Sequence, residues 1–189
     1  MIKIKAEKRK AVASALTFCF FLQQSFCLQV LATQISGATG NNGIYNITPT
    51  AMNGDIGFRK YKDFNLSEGD VANLIYHLQG RDLSTFVNMV DNQINIQGIV
   101  NTVNKAGDFN GGHAVFVSPN GMVVGQSGVL NVGSLSIMTP DISAYEKYKS
   151  DVANPTLIKD YKSRLSAPGT GSVTIDGKVL ARNFVDINA

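Results

Sequence analysis

The chain has 189 residues, with 17 Lys+Arg against 14 Asp+Glu, two Cys, no Trp, 18 Gly and 17 Asn. That length suits one domain of ordinary size, and a hydrophobic share of 44% argues against wholesale disorder. No apolar stretch reaches 18 uninterrupted residues, which argues against a polytopic membrane protein.

The charge is unevenly placed. Residues 1–10 hold Lys3, Lys5, Lys8, Arg9 and Lys10 against Glu7 alone, Ala11 to Leu22 form an apolar centre, and Val30-Leu31-Ala32 offers small residues at a cut site. This order describes a secretory signal peptide over residues 1–32, cleaved after Ala32. An uncleaved anchor over 11–32 is the alternative, but Gln23, Gln24, Ser25 and Gln29 make a poor hydrocarbon span. Cys27 as a lipid acceptor is set aside, because Phe26 is too bulky for the small residue such processing needs.

Without the leader, residues 33–189 carry 12 Lys+Arg and 13 Asp+Glu, a net of −1, so charge-driven nucleic-acid binding loses its support. Cys19 and Cys27 both lie in the leader, which leaves the mature part without disulfides, thiolate metal sites or a Cys nucleophile.

The body reads as short strands separated by Gly, Asn and Ser. Ile94 and Ile96 alternate with Gln93, Asn95 and Gln97; Ala114 to Val117, Met122 to Val124 and Val129 to Ile137 follow. Ile94/Ile96 precede Val115/Val117 by 21 residues, and those precede Leu135/Ile137 by 20. A repeated step of this size predicts an all-β solenoid, a parallel β-helix with asparagine ladders at its corners. A β-sandwich is the main alternative.

Residues 141–165 differ, with nine charged residues in 25, whereas Leu83 to Pro140 hold only Asp91, Lys105 and Asp108. Thr139-Pro140 and Asn154-Pro155 each suit a helix cap and first position. Ile142, Tyr145 and Val152 mark one expected apolar face, and Leu157, Ile158, Tyr161 and Leu165 a second. The expectation is a short charged helical insert, ended by Ala167-Pro168-Gly169-Thr170-Gly171. Strand alternation resumes at Val173 to Val179 and at Val185 to Asn188, where the sequence stops in mid-pattern. Such a front part is expected to belong to a longer product.

Three segments carry a resemblance. Phe58 to Leu66 contains aromatics and a Leu; Thr85 to Val90 reads Thr-Phe-Val-Asn-Met-Val; Ala114 to Leu135 centres on Ser118-Pro119-Asn120-Gly121-Met122. Together they resemble the secretion domain at the front of filamentous-haemagglutinin-type exported adhesins, closest to the leukotoxin-like filamentous adhesins. That family writes the central motif Asn-Pro-Asn-Gly-Ile, and has Arg where Met89 stands. The resemblance implies a right-handed parallel β-helix and two-partner secretion. A periplasmic chain is recognised by the periplasmic domains of a dedicated outer-membrane β-barrel, threaded outward, and folds at the surface of a Gram-negative-type bacterium, nucleating the rest of the solenoid. Host contact, in such adhesins, belongs to later segments.

The candidate residues also have plain structural roles. Ser118, Pro119 and Gly121 suit the first, second and last positions of a type I turn. Asn88 suits an internal amide that satisfies backbone groups. His77 and His113 stand without a local Cys or carboxylate cluster, so neither points to a metal. Asn46-Ile47-Thr48 and Asn65-Leu66-Ser67 match glycosylation acceptors, a pattern common by chance in an Asn-rich chain. The rival class is a secreted β-helix enzyme acting on acidic polysaccharide. It needs clustered carboxylates with Arg or Lys, and Leu83 to Pro140 has neither Arg nor Glu. A truncated, non-functional adhesin remnant is the other alternative. The expectation is a non-enzymatic secretion domain with no cofactor.

Overall fold

The computed structural model describes residues 32–189, so the expected leader, with Cys19 and Cys27, lies outside it apart from Ala32. Strands dominate, joined by two short α-helices and one 3-10 segment, and the described chain is all-β in class.

Three sheets are visited in a fixed order. The first holds Gln34–Ile35, Phe64–Leu66, Ile94–Ile96, Met122–Val124 and Val173–Ile175. The second holds Gly40–Asn41, Ile44–Ile47, Val71–Ile75, Ile99–Val103, Val129–Val132 and Lys178–Ala181. The third holds Ala51–Asn53, Ile56–Tyr61, Thr85–Val90, His113–Val117, Ser134–Met138 and Val185–Asn188. From Ile56 onward the chain passes through the third, first and second sheets in turn, and each strand pairs in parallel with its counterpart one circuit later. At the early edge the direction reverses. Gln34–Ile35, Gly40–Asn41 and Ala51–Asn53 each pair antiparallel with the first strand of their sheet, covering edges that would otherwise invite other chains.

The true repeat is longer than the sequence spacing suggested. Ile44 pairs with Val71, Val71 with Ile99 and Ile99 with Val129, in steps of 27, 28 and 30 residues. The expected 21-residue step from Ile94 to Val115 instead joins the first sheet to the third. The 20-residue step to Leu135 and Ile137 falls one residue off register, because Val115 pairs with Ser136 and Phe116 with Ile137. Since side chains alternate, that one-residue difference decides which face each occupies.

Alternation on the third sheet builds two cores. Phe86, Val90, Ala114, Phe116, Leu135 and Ile137 join residues of the other two sheets in one buried cluster. Val87, Met89, Val115, Val117 and Met138 face the opposite way into a second cluster with Tyr145, Tyr148, Val152, Ile158, Tyr161 and Leu165. Burial on both faces explains why Thr85–Val90 and His113–Val117 read as nearly continuous apolar runs.

The second cluster is roofed by the insert. Helix α1 spans Ile142–Asp151, a 3-10 segment spans Pro155–Asp160, and helix α2 spans Tyr161–Arg164. The cap of α1 is Asp141, whose carboxylate accepts from the backbone of Ser143 and Ala144, rather than Thr139. Thr139 still belongs to the strand end: its N–H donates to Asn188 O at 2.9 Å, and its carbonyl accepts from Gly169 N at 2.7 Å. Asn154 does cap the 3-10 segment, with Pro155 following. Ile142 is 54% exposed, contrary to the expected face. A helical side chain leans toward the N-terminus, so one in the first position points off the helix end.

Candidate functional site

The corner at Ser118–Met122 connects the third sheet to the first. Gly121 N donates to Ser118 O at 3.2 Å, closing the turn, and Asn120 N donates to Ser118 Oγ at 3.1 Å. Gly121 has φ of +85°, and a Cβ there would lie 2.1 Å from Ser172 O, so both conformation and space require glycine.

The corner is seated on its predecessor by side chains. Ser118 Oγ donates to Asn92 O at 2.9 Å, and Asn120 Nδ2 donates to Asp91 O at 2.7 Å. Asn92 Nδ2 in turn donates to Asp63 Oδ1 at 2.7 Å, one corner earlier. On the other side Met122 N donates to Ser172 O at 3.0 Å. Ser118, Pro119, Gly121 and Met122 are buried, and Asn120 is the exposed member.

Asn88 makes no hydrogen bond with this corner. It is buried on the inner face of Thr85–Val90, where its Oδ1 accepts from the Tyr61 hydroxyl at 2.8 Å. Its Nδ2 donates to Phe86 O at 3.1 Å. Burial holds the Tyr61 phenol far above its ordinary range, with the Arg59 charge opposing. The half-buried Arg59 donates to the carbonyls of Thr48 and Gly37.

Asp91 is the residue that sequence reasoning passed over, having counted it only among the three charges between Leu83 and Pro140. Its carbonyl holds Asn120, while its carboxylate Oδ1 accepts from the Tyr145 hydroxyl at 2.8 Å and pairs with Lys149 Nζ at 2.7 Å. Burial, then the hydrogen bond to Asp91, pushes the Tyr145 phenol up; the hydrogen bond to Asp91 also raises Lys149. The available signal was its rarity, one of three charges between Leu83 and Pro140.

The histidines are partnered locally. His77 Nδ1 lies 2.9 Å from Asp82 Oδ1 across the hairpin His77–Leu78 and Arg81–Asp82. His113 Nε2 lies 2.8 Å from Ser136 Oγ, with its ring 5.1 Å from that of Phe184. Burial, then repulsion from Lys162, lowers His113 from 6.5 to about 4, with Asp186 opposing. Among the described residues, no three His, Cys, Asp or Glu side chains are grouped to hold a metal ion.

Asparagine ladders are present, but along a sheet face rather than at corners. Asn73 Nδ2 donates to Asn46 Oδ1 at 3.0 Å, Asn101 to Asn73 at 3.2 Å, and Asn131 to Asn101 at 3.0 Å. Parallel pairing in register places equal residues one above another, so each amide finds the next.

No family model matches the chain, and neither the curated proteins nor the solved structures gave a match.

Proposed function

We propose that residues 33–189 are a right-handed parallel β-helix acting as the secretion domain of a two-partner-secretion exoprotein of the filamentous-haemagglutinin type. The observation that carries this reading is the coupling between corners. Ser118 and Asn120 donate to Asn92 and Asp91, so the motif corner, closed within itself by Gly121 N to Ser118 O, is seated on the corner one circuit before it. Folding then proceeds from the front, each circuit offering the edge on which the next one pairs.

This suits a chain that crosses the outer membrane unfolded. In the periplasm its strand edges are free to add to a partner sheet in the barrel's periplasmic domains by β-augmentation. Outside, parallel pairing between residues about 28 apart is nonlocal and slow to nucleate, and each completed circuit buries surface that opposes return. The motif's role here is to shape the corner that lets circuits stack. The resemblance of Phe58 to Leu66, Thr85 to Val90 and Ala114 to Leu135 to the secretion domains of that family supports the same assignment.

The experiment is a capture assay with the purified periplasmic domains of a two-partner-secretion outer-membrane barrel. Chain kept unfolded in low urea should be captured, and prefolded chain should not. Equal capture of both would contradict recognition through free strand edges.

A further inference from the structure

Residues 141–165 leave and rejoin the sheets at one point. Asp141 N donates to Ala167 O at 2.9 Å, Gly169 N donates to Thr139 O at 2.7 Å, and Pro140 bridges Pro168 antiparallel. This stem ties the two ends of the segment to each other. The ladders on either side keep their own bonds, from Ser118 N to Met138 O and from Met122 N to Ser172 O.

Beyond the stem the segment is held together internally. Arg164 pairs with Asp151 at 2.5 Å, the Tyr148 hydroxyl donates to Ile158 O at 2.8 Å, and Asp141 and Asn154 cap their helices. The 3-10 segment reaches Ala51–Asn53 at the far side of the third sheet. Residues 142–165 exchange no backbone hydrogen bond with the sheets among the described residues. Their polar attachments there are the two at Asp91, from Tyr145 and Lys149, and one residue beyond the segment Asn188 Nδ2 donates to Ser166 O at 3.1 Å; apolar packing adds to these, including the Phe58–Tyr148 edge-to-face pair at 6.3 Å.

We infer that residues 141–165 form a hinged strap that lifts off the third sheet as a unit, with Asp91 as its catch. Lifting it uncovers Phe58, Val87, Met89, Val115, Val117 and Met138 while all three ladders stay paired. The Asp91 carbonyl also holds Asn120, so the catch lies on the same residue that seats the motif corner. This inference stands on the fold alone and does not require the export reading.

Hydrogen exchange on the full chain tests it. Amides of Tyr145 to Val152 are expected to exchange faster than those of Phe86 to Val90 and Ala114 to Val117. Tyr145→Phe, which keeps the ring and loses the bond to a charged acceptor, is expected to speed strap exchange about tenfold and leave the ladder rates unchanged. Asn101→Ala, in the ladder of another sheet, should leave strap exchange unchanged. One common rate for strap and ladders, or Tyr145→Phe or Asn101→Ala accelerating both by the same factor, would overturn the strap.

Discussion

The Tyr61 hydroxyl donates to the side-chain oxygen of Asn88 at 2.8 Å, with both residues buried in the inner cluster. Tyr76, in the same cluster, has a buried hydroxyl with no hydrogen-bond partner among the described residues. The two phenols therefore answer the same substitution with opposite signs. Tyr61→Phe is expected to cost about 1–2 kcal/mol, because it leaves the Asn88 oxygen unpaired in the core. Tyr76→Phe removes an uncompensated polar group and should raise stability by about 1 kcal/mol or less. Urea midpoints at constant slope read both; loss of stability in Tyr76→Phe would show that its hydroxyl is satisfied.

At the corner, two neighbouring substitutions should separate in size. Asn120→Ala loses one exposed side-chain bond to Asp91 O and is expected to cost about 1 kcal/mol. Gly121→Ala forces a side chain into a left-handed backbone and against Ser172 O, and should cost more than about 2 kcal/mol. Thermal or urea unfolding checks the order; equal effects would mean the corner relaxes around the new methyl group.

The asparagine ladder gives a positional test. Asn101 both donates to Asn73 and accepts from Asn131, whereas Asn46 at the end only accepts from Asn73. Asn101→Ala should therefore destabilise by about 1 kcal/mol, and Asn46→Ala by less. A larger effect at Asn46 would show that the ladder is not the operative contact.

His113 makes stability depend on pH in a defined direction. Its folded value, about 4, lies below the ordinary 6.5, so the unfolded chain takes up the proton first as pH falls. Its contribution is complete above pH 6.5 and is lost progressively between 6.5 and about 4. His113→Gln should flatten the stability–pH curve in that window relative to the unsubstituted chain. Identical slopes for the two chains would remove His113 as the cause.

Much of the architecture could be read from local pattern. Strands at Ile94, Ala114, Met122, Val129, Val173 and Val185 stand where alternation put them, and charge density located the insert. The repeat could not be read from Ile94, Val115 and Leu135, because apolar alternation is the same on every sheet and does not say which sheet a strand joins. The better signal was a recurring polar residue inside it: Ile44-x-Asn46, Val71-x-Asn73, Ile99-x-Asn101 and Val129-x-Asn131 mark one sheet in true register. Asp91 escaped notice for another reason. Its partners Asn120, Tyr145 and Lys149 lie 29, 54 and 58 residues away, and only the pairing of strands distant in sequence brings them together.

Export tests the functional reading most directly. Residues 1–189 with a C-terminal tag would be expressed with and without a co-expressed two-partner-secretion outer-membrane barrel, and the medium and periplasm assayed for the tag. The expected result is tagged protein in the medium only when the barrel is present. Retention in the periplasm beside a barrel that exports its own substrate would contradict the assignment as a secretion domain.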